Sequence, residues 1–192
     1  MLSAPLWGLV LAGGLSTRMG TDKGLIAWHG KPQREYLLDL FRQLGLPACL
    51  SIRPDQLNQA LPTDCLIPDA HGPIGPAGAL RSAMDAYPGR AWLVVACDLP
   101  LVTADFLHWL IQHRDPERLF TGCATSFGPE PLAAIWEPAA RACLTRQVDA
   151  GDYSLRKVLE DQVVKIVSPP DPTLLLNANS PEDYTAICRI LA

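Results

Sequence analysis

The chain has 192 residues, of which 48% are hydrophobic and 19% charged, and its formal net charge is −4. This balance excludes a largely disordered chain, and the negative charge excludes nucleic-acid binding by bulk electrostatics while leaving room for a local basic pocket. At about 150 residues per domain the length predicts one domain spanning 1–192, able to bury roughly 70% of the surface of the unfolded chain without disulfide or metal staples.

The run Trp7 to Ala12 is continuously apolar and ends in glycines, as a strand buried on both faces of a parallel sheet does. The longest apolar stretch near the start, Leu6 to Gly13, is too short to cross a bilayer and follows no basic residue. A soluble cytoplasmic protein with no membrane partner is the expectation. Pro32 to Leu44 places Tyr36, Leu37, Leu40, Phe41 and Leu44 on one helical face, with Gly45 as the stop signal. Ala48 to Ile52 reads as a second strand and Cys65 to Ile67 as a short third. Leu80, Ala83, Met84 and Tyr87 recur at helical spacing, and Ala91 to Ala96 is another fully buried strand. Thr103 is placed to cap a helix whose apolar side is Phe106, Leu107, Leu110 and Ile111. Strand and helix alternate through residue 113, which predicts an α/β fold with a mainly parallel sheet.

The remainder is less regular. Phe120 to Thr125 and Leu132 to Trp136 read as an antiparallel hairpin joined by Ser126 to Glu130. Pro138 is expected to open a helix at its first position, and Ser154 to Leu159 to form another. Val163 to Val167 and Leu174 to Leu176 read as short strands. Ser180, Pro181 and Asp183 form a capping box for a last helix that buries Tyr184, Ile187, Cys188 and Leu191. The six cysteines include no CxxC pair, and most sit in apolar runs, as small buried thiols in a reducing compartment do. The four histidines show no HExxH spacing.

Four polar constellations interrupt this framework. The first, Leu11-Ala12-Gly13-Gly14-Leu15-Ser16-Thr17-Arg18-Met19-Gly20-Thr21-Asp22-Lys23, leaves a buried strand at the sheet's carboxyl end, where open α/β proteins bind ligands. Its glycines let backbone N–H groups approach phosphate oxygens, and Arg18 and Lys23 supply positive charge. It is neither a Walker A loop nor a GxGxxG fingerprint. The second, Ala96-Cys97-Asp98-Leu99-Pro100, puts a carboxylate at a buried strand's tip: Asp98 is a candidate Mg²⁺ ligand or a cap for the turn before Pro100. In the third, Pro68 to Gly78, Asp69 is a candidate acceptor for a base or hydroxyl on a bent, glycine-rich loop, which also suits a plain connection. In the fourth, Asn177-Ala178-Asn179 precedes the capping box and offers amides that capping does not use, although asparagine also suits turns.

Together these pieces resemble the molybdenum cofactor guanylyltransferase family of the MobA type. The opening signature LAGGxSxRMGxDK is matched at every fixed position from Leu11 to Lys23. The GPxxG loop stands as Gly75-Pro76-Ala77-Gly78, the ACDxP strand end as Ala96 to Pro100, and the NxNTPED motif as Asn177 to Asp183 with Ser180 for the usual Thr. Ala77 replaces the usual Leu. Pro131 to Trp136 and Asp149 to Leu155 resemble the family's acceptor-side strand and its next turn.

The resemblance implies a Rossmann-like three-layer nucleotidyltransferase fold with a small antiparallel part. It implies GMP transfer from GTP to the terminal phosphate of molybdenum cofactor (molybdopterin), releasing pyrophosphate. The catalytic set would be Arg18, Lys23 and Asp98, with Mg²⁺ on Asp98. GTP would contact Leu11, Ala12, Gly13, Gly14, Lys23, Asp69 and Asp98, and Asn177 and Asn179 would face the pterin or complete the metal shell. Arg81 and Arg156 are further basic positions for the pterin, with surface roles equally open. Molybdoenzymes or their chaperones would receive the product. Cytidylyltransferases open with LAAG, and Gly13-Gly14 here removes a methyl group near the base, which favours a purine. Sugar-phosphate nucleotidyltransferases open with LAAGxGTR, against which Ser16 counts. A regulatory nucleotide-binding protein without catalysis is the alternative from another class.

Overall fold

The computed structural model describes residues 3–13, 22–57, 63, 65–125, 128–160 and 162–191. Among them, seven strands form one sheet: β1 (Leu6–Leu11), β2 (Ala48–Ile52), β3 (Leu66–Pro68), β4 (Ala91–Ala96), β5 (Phe120–Thr125), β6 (Gly128–Trp136) and β7 (Lys165–Val167), in the order β3-β2-β1-β4-β6-β5-β7. Only β6 runs against its neighbours β4 and β5, and the other pairings are parallel. The helices are α1 (Gln33–Gln43), α2 (Pro76–Ala86), α3 (Ala104–Gln112), α4 (Ala140–Asp149), α5 (Leu155–Val158) and α6 (Pro181–Leu191). This is the expected Rossmann-like α/β architecture with a mainly parallel sheet.

Both sheet faces are covered because strand residues alternate sides. Val10, Leu93 and Val95 pack under Leu37 and Phe41 of α1 and Phe106 and Leu110 of α3. Leu9, Trp92 and Val94 pack on the other side under Leu80 and Met84 of α2 and Leu144 of α4. The unbroken apolar run of β4 is thus explained: every one of its six residues is buried. Thr103 Oγ1 accepts a hydrogen bond from Phe106 N (3.2 Å), and Ser180 Oγ one from Asp183 N (3.1 Å), so both expected caps are present.

Several expectations change. Leu174 to Leu176 is not a strand: Pro172–Leu175 forms a 3-10 turn opened by Asp171, whose carboxylate accepts from Thr173 N. The helix after Trp136 begins at Ala140, with Pro138 two residues before it. β6 starts at Gly128 rather than Leu132, because it pairs with β5 back to Thr125. On α6 only Ile187 is buried; Tyr184 and Leu191 are exposed, as is Cys188, because the helix lies at the periphery. Cys49 and Cys65, expected as free thiols, are joined in a disulfide: the in-register pairing of Leu50 with Leu66 brings the preceding Cα atoms to 4.6 Å.

The packing of α1 on β1 depends on a missing side chain. A Cβ on Gly8 would lie 2.6 Å from two ring carbons of the fully buried Phe41. Gly8→Ala is therefore expected to cost about 1–3 kcal/mol of stability. Urea unfolding measures the loss, and Phe41→Leu in the same background should recover part of it.

Candidate active site

Parallel strands end on a common rim, and β1 to β4 deliver their following residues there. Because β6 runs the other way, its first residues reach the same rim. A cavity of about 670 Å³ opens between these ends, lined by Leu11 at the end of β1, Ala12 and Gly13 after it, Arg53 after β2, Asp69 after β3 and Asp98 after β4. Lys23 and Asn179 complete its wall.

Asp98 is the most constrained of these groups. Its backbone carbonyl accepts a hydrogen bond from Ala178 N at 2.8 Å, which docks the Asn177-Ala178-Asn179 turn against the end of β4. Its side chain is only 21% exposed, and Oδ2 lies 4.0 Å from Lys23 Nζ. Oδ1 is buried and has no hydrogen-bond partner. Burial raises the Asp98 pKa above the ordinary carboxylate value, and nearby Lys23 opposes the rise without cancelling it.

Lys23 opens a 3-10 turn, Lys23–Leu25, capped by Asp22, whose Oδ1 accepts from Gly24 N at 2.9 Å. Its Nζ donates to Asn179 Oδ1 at 2.6 Å. Asn179 is held in turn by α6: Asp183 Oδ2 accepts from both Asn179 N and Ser180 N, each at 2.9 Å. The closing motif thus reaches Lys23 from the far end of the chain.

Asp69 is placed by a different device. Its N–H donates to Ile52 O, and its Oδ1 accepts from His71 N at 3.1 Å. A Cβ on Gly78 would sit 3.0 Å from Asp69 Oδ1 and 2.7 Å from Ile74 Cγ1, so that glycine of the GPxxG loop lets α2 close against the carboxylate. Gly75, at φ +72°, makes the turn into α2 in a conformation that disfavours other residues.

A second cavity of about 310 Å³ adjoins the first, sharing Asp98 and Asn179 and adding Asn177, Glu130 and Arg156. The Glu130 side chain is almost fully buried, accepts from Leu132 N at 3.0 Å and lies 3.7 Å from Arg156 Nη2. Burial raises its pKa, against the opposing effects of the Leu132 N–H and Arg156.

Of the residues singled out from the sequence, Leu11, Ala12, Gly13, Lys23, Asp69 and Asp98 share the first cavity, Asn179 borders both, and Asn177 borders the second alone. Gly14 and Arg18 lie outside the described residues. Arg81 lines neither cavity: it pairs with Asp149 at 2.6 Å, between α2 and α4. Arg53, Gln56 and Glu130 escaped the sequence reading. Arg53 directly follows a strand, the rule that found Asp98, whereas Glu130 required knowing that β6 is reversed.

The donor set suits a hard divalent cation. No cluster of three His, Cys, Asp or Glu side chains exists among the described residues, but Mg²⁺ needs only one or two carboxylates beside substrate phosphates. The unbonded Oδ1 of Asp98 is such a carboxylate oxygen.

A mostly parallel sheet covered by helices on both faces, with a lysine-bearing cavity of several hundred Å³ at its carboxyl rim, is the build of a nucleotide-binding α/β enzyme. The MobA-like NTP transferase domain matches residues 8–166, and the chain belongs to that family. It is 35% identical over 188 residues to the molybdenum cofactor biosynthesis bifunctional protein of Synechocystis sp., covering 95% of this chain and 54% of that protein. It is 39% identical over 119 residues to the molybdenum cofactor guanylyltransferase of Xanthomonas euvesicatoria, covering 59% of each. The chain therefore spans little more than half the length of these two relatives. Its fold matches that of molybdopterin-guanine dinucleotide biosynthesis protein A from Archaeoglobus fulgidus with a TM-score of 0.80 at 22% identity, covering 95% of this chain and 97% of that one.

An acid with a raised pKa in the folded state weakens that state wherever it is ionised. For Asp98 the cost is absent below the ordinary value of 3.8 and complete above the raised folded value. Without divalent cation, Asp98→Asn should therefore melt above the wild type at neutral pH, with the gap closing as the solution is acidified. Thermal melts of both proteins across pH measure it.

Proposed function

We propose that the chain transfers GMP from GTP to the terminal phosphate of molybdenum cofactor, giving the guanine dinucleotide cofactor and pyrophosphate, and that residues 1–192 act as one domain. The observation that carries this reading is the convergence of Lys23 Nζ, the Asp98 carboxylate and Asn179 Oδ1 at one cavity. The names of the relatives support the choice of GTP and molybdopterin. No helix among the described residues is long and apolar enough to cross a membrane, and a cytoplasmic site of action is proposed, where GTP is available.

In this reading the large cavity holds GTP and the small one the acceptor, with Asp98 between them. An acceptor phosphate oxygen attacks the α-phosphorus. A new P–O bond forms as the bond to the β-phosphate oxygen breaks, and pyrophosphate leaves with the electron pair. A phosphate monoester has its second pKa at about 6 and is already mostly ionised, so no general base is required. Catalysis then rests on alignment and charge neutralisation. Lys23 neutralises the leaving pyrophosphate, and Arg18 is assigned the same task from the resemblance. Ala12 to Gly14 and Asp69 receive the base or ribose. Asn179 keeps the Lys23 amine aimed into the cavity, and Asn177 faces the acceptor side. Mg²⁺, when bound at Asp98, would supply charge neutralisation across the nucleotide phosphates. Molybdoenzymes or their chaperones are the proposed recipients of the product.

Incubating the protein with molybdenum cofactor, Mg²⁺ and each common nucleoside triphosphate tests this reading. The guanine dinucleotide is the expected product; a cytosine dinucleotide, or none, would refute it. Lys23→Ala should slow turnover at least about tenfold, roughly 1.4 kcal/mol of transition-state stabilisation. Asp98→Ala should abolish metal-dependent pyrophosphate release while part of the GTP affinity survives. Both follow from a pyrophosphate-release assay paired with equilibrium GTP binding.

A further inference from the structure

Gln56 is buried to 1% exposure between exposed neighbours, Asp55 and Leu57. Both ends of its amide are used. Oε1 accepts from Arg53 N at 2.9 Å, and Nε2 donates to Asp22 Oδ2 at 3.0 Å. The orientation is dictated by chemistry, since an N–H must face the amide oxygen and a carboxylate must face the amide nitrogen. The first bond belongs to the local 3-10 turn, Pro54–Gln56, and is a capping interaction. The second is not local: it crosses from the end of β2 to the residue before Lys23.

That residue presents a physical problem. Asp22 lines the large cavity, which puts a negative charge beside the space assigned to a polyanion. Gly24 N–H occupies Oδ1 and Gln56 occupies Oδ2. Both oxygens are thereby committed to the turn, while the neighbouring Lys23 amine lies 2.6 Å from Asn179 Oδ1 and 4.0 Å from Asp98 Oδ2. The same turn reaches the other side of the glycine-rich stretch, where Arg53 Nη1 donates to Gly13 O at 3.5 Å.

We infer that Gln56 is a positioning residue for nucleotide binding: by donating to Asp22 Oδ2 it holds the Asp22-capped turn that aims Lys23 at the triphosphate. This rests on the proposed nucleotidyltransferase reading and adds a residue that acts through Asp22 rather than touching substrate.

The bond can be reversed in polarity. Gln56→Glu keeps the acceptor for Arg53 N, so the local turn survives, but sets a carboxylate against Asp22. Adding Asp22→Asn restores a donor between the two while its Oδ1 still accepts from Gly24 N. Equilibrium GTP binding with Mg²⁺, acceptor KM and thermal melting are read on the wild type, Gln56→Glu and the double variant. Gln56→Glu is expected to weaken GTP binding about tenfold or more, as loss of a hydrogen bond to a charged group does. The double variant should return to within about threefold of wild type, and acceptor KM should stay within about twofold throughout. A Gln56→Glu protein that binds GTP like the wild type overturns the inference. So does a double variant whose melting is restored while its GTP affinity is not. A wild-type chain that binds no GTP overturns the functional reading as well, so the two failures are told apart.

Discussion

One carboxylate oxygen sets the terms for this molecule. Asp98 Oδ1 is buried at the end of a fully buried strand and makes no hydrogen bond. A buried, unpaired carboxylate oxygen is costly, and the free protein offsets the cost only in part through Lys23 at 4.0 Å. The site is therefore built as an incomplete electrostatic arrangement. A divalent cation carried with nucleotide phosphates, the occupant proposed for this site, would complete it.

The rest of the fold serves this arrangement by fixing what surrounds it. The parallel pairing of β1 with β4 brings Leu11 and Ala96 side by side, so the glycine-rich stretch and Asp98 emerge at the same level. The reversed β6 returns Glu130 to that level from the other side. The loop before α6 is docked by Ala178 N on Asp98 O and carries Asn179 to Lys23. Lys23 and Asn179, 156 positions apart, thus meet through a side-chain hydrogen bond, and the backbone bond from Ala178 N to Asp98 O seats the turn that makes it.

Charge is distributed with similar economy. The net charge is −4, yet the large cavity is bordered by Lys23 and Arg53. Arg53 is engaged by Asp55 through two guanidinium nitrogens, at 3.0 and 3.2 Å. Acidic groups near the cavity are likewise occupied: Asp22 by Gly24 and Gln56, and Asp69 by His71 N–H. Among the described residues lining the large cavity, Asp98 is the acid with a buried carboxylate oxygen that makes no hydrogen bond.

The α/β alternation, the buried strands β1 and β4, the caps at Thr103 and Ser180, and the residues gathered at the rim from Leu11 to Asp98 were legible in the order of residues. These are encoded in local periodicity and in residue types at strand ends, which need no knowledge of distant contacts. The remainder depended on how distant segments pack. The reversal of β6 carried Glu130 to the rim, and strand pairing brought Cys49 to Cys65. The peripheral seat of α6 left its Tyr184 and Leu191 uncovered despite their apolar spacing. The role of Asn179 became visible only when its amide met Lys23, and that of Gln56 only when it met Asp22. Such pairings depend on where two remote backbones come to lie, and no spacing within either segment records the other's position.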